Sequence, residues 1–211
     1  MSAEYDVRDA GRVRFKSAER RRQIVAACVE VIVRQGFSAT SMRQIAKQSG
    51  ISVGTLLHHF KDKRELLQEC IAYIMDGAAQ NAEQILTGPG TPLERLDRLI
   101  DYWVVSAESD AHWRVYMAFW NEAIFDTDTE SAILDGNIIW DRLVASCVRG
   151  AIEAGEIADG DPERIGKTLS TMMCGLAIHV QARLGRWDRS GGGEICREFL
   201  RGSGRRALSG G

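Results

Sequence analysis

Residues 41–67, SMRQIAKQSGISVGTLLHHFKDKRELL, constrain the fold more tightly than any other part of the chain. Ile45 and Ala46 share one helical face of a first short segment, and Val53, Leu56 and Phe60 share one face of a second. Between them stand Ser49, Gly50 and Ile51, which leaves room only for a tight turn, with Gly50 free to take positive φ. Two helices of about eight residues across such a turn are helix-turn-helix geometry. Thr40 or Ser41 caps the first helix, Ser52 is placed to cap the second, and Asp62 with Glu65 forms a capping box for the next.

The rest of the chain continues the helical period. Only 3 prolines interrupt 211 residues, so long helices are allowed. A helix from about Ser17 to Gln35 carries Ile24, Cys28, Val31 and Ile32 on one face and stops at Gly36, a left-handed C′ position. The helix opened by Asp62 runs to about Leu86. Thr87–Pro92 is the clearest break, after which Thr91 and Glu94 box a helix reaching about Ser109. Residues 110–124 are apolar on nearly every side and read as a buried helix. Thr127 and Glu130 cap a helix to about Gly155, and Asp161 with Pro162 opens one to about Gly185. Ser190–Gly193 reads as a flexible link, followed by a short helix over 194–201. The prediction is an all-α fold of about nine helices. Residues 1–16 would be a flexible basic arm, 17–64 a helix-turn-helix domain, 65–205 a ligand-binding and dimerisation domain, and 206–211 a tail.

Charge separates the two parts. Residues 1–66 carry 13 lysines and arginines against 7 acids, and residues 67–211 carry 14 against 22, within a net charge of −2. A basic head on an acidic body points to a polyanion partner for the head. Five dispersed cysteines with no Cys-x-x-Cys pair argue for buried free thiols, and hence for a reducing cytoplasm. No apolar run approaches a membrane span of roughly 20 residues.

With Leu56 and Phe60 inward, Ser52, Gly54, Thr55, Leu57, His58 and His59 face out, where a recognition helix meets base edges in the major groove. Thr55 would hydrogen-bond a base edge and Leu57 would pack on a thymine methyl. Val53, at the start of that helix, is also a candidate contact. Thr40 and Lys63 stand at helix starts, where a phosphate would dock, and Lys61 and Arg43 flank the same groove. Consecutive histidines diverge by about 100° on a helix, so His58 and His59 make a poor metal pair. No metal or cofactor is expected. Gly-x-Ser-x-Gly, His-Glu-x-x-His and phosphate-loop signatures are missing from the sequence, which argues against an enzyme. A helical adaptor binding another protein is the alternative from a different class.

The run from Thr40 to Leu67 resembles the N-terminal domain of TetR-family transcription regulators, with Leu57 where many members carry a tyrosine. The stretch HWRVYMAFWNEA, 112–123, resembles the choline-responsive BetI group of that family. The resemblance implies a homodimer on a palindromic operator in double-stranded DNA, released by a small-molecule effector. It assigns the dimer interface to the last two long helices, through Leu169, Met172, Leu176, Val180, Ile195 and Phe199. It also implies that Trp103, Trp113, Tyr116, Trp120 and Trp140, with Met117 and Met173, wall a ligand pocket. Aromatic faces attract quaternary ammonium groups, and Glu122, Asp101 or Glu108 would supply a counter-charge. The same aromatics would equally fill a core. The methionines would suit an apolar effector, as in regulators of efflux or of lipid and xenobiotic metabolism.

Overall fold

In the computed structural model, residues 7–106, 110–123 and 127–202 are described, with side chains for 17–106, 111–120 and 137–202. The elements are α1 (Val7–Gln35), α2 (Met42–Gln48), α3 (Val53–His59), α4 (Lys63–Thr87), α5 (Pro92–Ile100), a π-helical turn (Asp101–Val105), α6 (Asp110–Ala123), α7 (Thr127–Glu153), α8 (Pro162–Gln181) and α9 (Arg189–Gly202). Among the described residues the fold is all-α, with nine α-helices and no strand. The chain divides into two compact units, residues 1–73 and 74–211, and the division falls inside α4 rather than at residue 64.

In the first unit, Ile24, Cys28, Val31 and Ile32 of α1 are buried together with Ile45, Ala46, Leu56 and Phe60. Helix α1 begins at Val7 and not at Ser17, because residues 7–16 hold no proline and, apart from Gly11, nothing that opposes a helix. It ends at Gly36, whose φ is +81°. Ser41, not Thr40, is the N-cap of α2, in a reciprocal box with Gln44. The α2–α3 turn is a Schellman motif. Gly50 (φ +66°) donates to Lys47 O at 3.2 Å and Ile51 to Ala46 O at 3.0 Å. Val53 departs from the expected inward face: it is 38% exposed, while Leu56 and Phe60 are fully buried.

In the second unit, Thr91 and Glu94 box α5 as expected. The helix does not run on to Ser109. A π turn intervenes, with Ser106 N donating to Asp101 O at 2.6 Å, and the widened turn buries the consecutive pair Trp103 and Val104. Helix α6 is two-sided: Val115 and Phe119 are buried, but Ala111, Arg114 and Trp120 are exposed. The Thr127–Glu130 cap lies outside the described side chains. Asp161 accepts from Arg164 N to cap α8, with Pro162 in the first turn. This helix stops at Gln181, short of Gly185, in a Schellman motif whose left-handed residue is Arg183 (φ +53°).

The glycine run belongs to α9, not to a link. Asp188 accepts from Gly191 N at 2.7 Å and starts the helix, and Gly192 and Gly193 are buried in it. A Cβ on Gly192 would lie 3.0 Å from Val104 Cγ1, and one on Gly193 2.5 Å from Val105 Cγ2. The glycines let α9 lie against the π turn. Arg197 adds ion pairs to Asp97 and Asp101.

Candidate nucleic-acid interface and aromatic cavity

Helix α3 presents a compact exposed face. Ser52 accepts from Thr55 N at 3.0 Å, and the two hydroxyls lie 2.9 Å apart, which orients both at the start of the helix. Leu57 is 49% exposed. Gly54, Thr55 and His58 are exposed beside it, and His59 is half-buried. Burial, with the neighbouring His58 and Arg21, holds His59 below its ordinary pKa, so at neutral pH its ring is a donor and acceptor and not a cation.

Two sequence-predicted phosphate contacts are engaged elsewhere. Thr40 is buried, and its hydroxyl donates to Gly36 O at 2.7 Å, so it secures the turn before α2. Lys63 Nζ donates to Phe37 O at 2.9 Å and stands 3.9 Å over the Phe37 ring. Its ammonium therefore braces α4 against the α1–α2 loop, with one of its three donors already used. Arg43 and Lys61 remain exposed.

Arg21 was not anticipated. Its guanidinium donates to the backbone carbonyl of His59, pairs with Glu65 at 3.2 Å and Glu69 at 3.0 Å, and lies 4.2 Å over the Phe60 ring. One side chain of α1 thus fixes the C-terminal end of α3 and the first turns of α4. Glu65 also accepts from Lys61 N at 2.7 Å, and these two bonds hold its carboxyl below the ordinary value. The signal was an arginine on the polar edge of α1 opposite two glutamates spaced by four residues.

The second unit contains a cavity of about 480 Å³, within the range of small-molecule sites. Trp103, Trp113, Tyr116 and Met173 wall it and are buried. Trp120, at 40% exposure, marks its mouth with Lys167 and Thr171, and Trp140 lies between floor and mouth. Trp103 stands edge-on to Trp140 at 5.1 Å and to Trp113 at 5.5 Å between centroids. Hydrogen bonds fix the rings: Trp113 Nε1 donates to Trp103 O, Trp140 Nε1 to Ser170 Oγ, and Tyr116 OH to Asn137 Oδ1, at 2.9–3.0 Å. His112 stacks on Tyr116, and burial lowers its pKa to about 4, so its ring is neutral.

Several sequence calls shift here. Met117 is not in the cavity wall. Asp101 points instead to Arg197, and Glu108 and Glu122 lie outside the described side chains. The acid that does line the cavity is Asp141, half-buried one residue past Trp140. Asn137, Trp140 and Asp141 share one face of α7 at spacings of three and four. That pattern was visible in the sequence and was missed. Leu169 and Leu176, expected at a dimer interface, are buried within the single chain, because their face of α8 packs on its own neighbours. Met172, Val180, Ile195 and Phe199 are half-buried and retain surface. No described helix is long and apolar enough to cross a membrane.

Comparison with known proteins accounts for both units. The family model for bacterial regulatory proteins of the tetR family matches residues 24–70. The model for the BetI-type transcriptional repressor C-terminal domain matches residues 92–204. The HTH-type transcriptional regulator HbdR of Aromatoleum sp. (strain CIB) is 27% identical over 139 residues, covering 65% of this chain and 59% of its own length, less than two thirds of that relative. The HTH-type transcriptional regulator BetI of Rhizobium meliloti (strain 1021) is 29% identical over 163 residues, 75% of this chain and 76% of that one. A transcriptional regulator from Saccharomonospora viridis, crystallised in complex with choline, has the same fold. Its TM-score is 0.79 at 23% identity, over 87% of this chain and 96% of that one.

Proposed function

The chain belongs to the TetR family of bacterial regulatory proteins, with a C-terminal body of the BetI repressor type, and from that premise we propose that it is a homodimeric repressor released from a palindromic operator by an organic cation. Members of the family are transcriptional regulators and not enzymes. Residues 17–64 would read DNA and residues 65–205 would bind effector and pair the subunits, in the cytoplasm beside the chromosome.

The observation that carries the effector class is the aromatic cavity with Asp141 in its wall. Each tryptophan or tyrosine face contributes roughly 0.5–2 kcal/mol to a desolvated ammonium group. Asp141 supplies the charge that an apolar effector would leave uncompensated. His112, neutral through burial, adds a ring without adding a competing cation. A bound relative with choline, and relatedness to BetI, support the same class. On the DNA side, Val53, Thr55, Leu57 and His58 form the reading face, with Arg43 and Lys61 as phosphate contacts. Helix α4 begins in the first unit and continues into the second, which makes it the element for coupling. The effector must bind the DNA-free state better than the DNA-bound one. A coupling of about 1–3 kcal/mol would lower operator affinity 5–150-fold.

The test is fluorescence anisotropy on operator fragments selected from the native genome, with choline and its neutral carbon isostere 3,3-dimethylbutan-1-ol added in parallel. Release by choline and not by the isostere is expected, and Asp141→Asn should blunt it. Equal release by both compounds, or by neither, would overturn the cation reading. Loss of operator preference in Leu57→Ala and Thr55→Ala, with helix content kept, is the matching expectation for α3.

A further inference from the structure

The cavity is built for more than an ammonium head. Among its described lining residues two are charged: Asp141, half-buried on α7, and Lys167, exposed on α8 at the mouth. A simple cation seated among the tryptophans would satisfy Asp141 but would place a second positive charge near the Lys167 ammonium. Lys167 and Asp141 also form the shared wall of a neighbouring groove of about 370 Å³, which carries Arg142, Arg149 and Glu163. Arg149 is engaged by Glu163. Arg142 belongs to that groove alone, so Lys167 is the one basic side chain among the cavity's described lining residues, while the floor is aromatic and uncharged.

Among the described residues, the cavity's polarity thus runs from an aromatic floor, past one carboxylate, to one lysine at the mouth. The neutral hydroxyls at the rim do not alter this. Thr171 donates to Lys167 O and Ser170 to Gly166 O, so both hydroxyl protons are already engaged. A volume of about 480 Å³ leaves room beyond a trimethylammonium group for a second polar group.

We propose that the effector is a zwitterion, a quaternary ammonium compound that also bears a carboxylate or phosphate, with the ammonium in the aromatic floor beside Asp141 and the anion at Lys167. This rests on the organic-cation reading above and adds the anionic half. Lys167 is then a specificity-determining residue that separates such compounds from plain choline, since it attracts the anion and disfavours a ligand with net positive charge.

The experiment follows the intrinsic tryptophan fluorescence of the full chain during titration, because four tryptophans wall the cavity. The ligands are choline, glycine betaine, phosphocholine and 3,3-dimethylbutan-1-ol, tested on wild type, Lys167→Met and Lys167→Arg. In wild type, glycine betaine or phosphocholine should bind about fivefold or more tightly than choline, the scale of one partly exposed ion pair. Which of the two is favoured tells carboxylate from phosphate. Lys167→Met should remove that preference while choline binds as well or better, and Lys167→Arg should restore it. Choline matching both zwitterions in wild type, or a preference untouched by Lys167→Met, overturns the zwitterion proposal alone. If 3,3-dimethylbutan-1-ol binds as well as choline, or no ammonium compound titrates, the organic-cation reading fails with it.

Discussion

Replacing Gly193 by alanine tests how the last helix is held. In an exposed helix interior, glycine to alanine gains about 0.8–1.0 kcal/mol because the unfolded chain loses freedom that the helix never had. At Gly193 the added Cβ would sit 2.5 Å from Val105 Cγ2, inside the range that real contacts avoid. Val105 is β-branched and stands in the π turn, so it has little rotamer freedom with which to retreat. Overpacking of this kind costs about 1–3 kcal/mol, so the net effect is a loss of about 1 kcal/mol. That lowers Tm by about 2–4 °C in a chain of this size. Gly192→Ala meets Val104 Cγ1 at 3.0 Å and should come out near neutral. Gly77→Ala, mid-helix in α4 with nothing within 4 Å of the added atom, should gain the full propensity term. Thermal unfolding followed by circular dichroism ranks the three. If Gly193→Ala is at least as stable as wild type, the close approach of α9 to the π turn is wrong and the flexible-link reading returns.

Arg21→Ala should lower Tm by several degrees, because it removes a bond to the His59 carbonyl, two partly exposed ion pairs and a ring contact, together about 2 kcal/mol. It should reduce operator affinity more than affinity for random DNA, read by anisotropy, since it positions α3 without belonging to the reading face; an equal loss on both would assign Arg21 to phosphate binding. His112 sets a pH expectation. Its folded pKa, about 4, lies below the unfolded value near 6.5, so the unfolded chain takes up the proton first and stability is lost as pH falls from about 6.5 to about 4. The loss is up to about 3 kcal/mol and less where cavity water solvates the ring. His112→Phe should flatten that part of the pH–stability profile, and an unchanged profile would place the lost stability in other groups.

Most helices were legible because their signals are local. Ser52, Asp161 and the Thr91–Glu94 box each start a helix through a side chain reaching an amide three residues on, and Gly36 and Gly50 end one by taking positive φ. The glycine run was misread because a distant neighbour overrode a local preference. Gly191–Gly193 reads as a linker because glycine is a poor helix former, yet Val104 and Val105, some 90 residues earlier in the chain, require small residues there. Asp188, which caps α9, was the local clue. The end of α8 shows the opposite case. Gly185 advertised a stop and is itself left-handed (φ +68°), but the helix ends two residues earlier on Arg183 (φ +53°), a side chain that disfavours that conformation by roughly 1–2 kcal/mol.

The cavity was half legible for the same reason. Aromatic residues reveal themselves by number, so the walls were found, but a counter-charge is defined only by which carboxylate faces the rings. Asp101, Glu108 and Glu122 lie nearer in sequence to the tryptophan-rich helix than Asp141 does. Asp141 qualifies because it follows Trp140 on α7, and Trp140 is drawn to the site by its bond to Ser170 on α8 and its edge contact with Trp103. The charge of the site therefore depends on how α7 and α8 pack. Their packing brings Lys167 to the mouth in the same step, one helical turn before Ser170 and Thr171. A helix read from sequence as dimer interface thus lines the cavity with part of one face. Under the proposed function, selectivity and subunit pairing would share α8, so substitutions at Lys167 or Ser170 should alter ligand choice without changing oligomeric state, whereas substitutions at Met172 or Val180 should do the reverse.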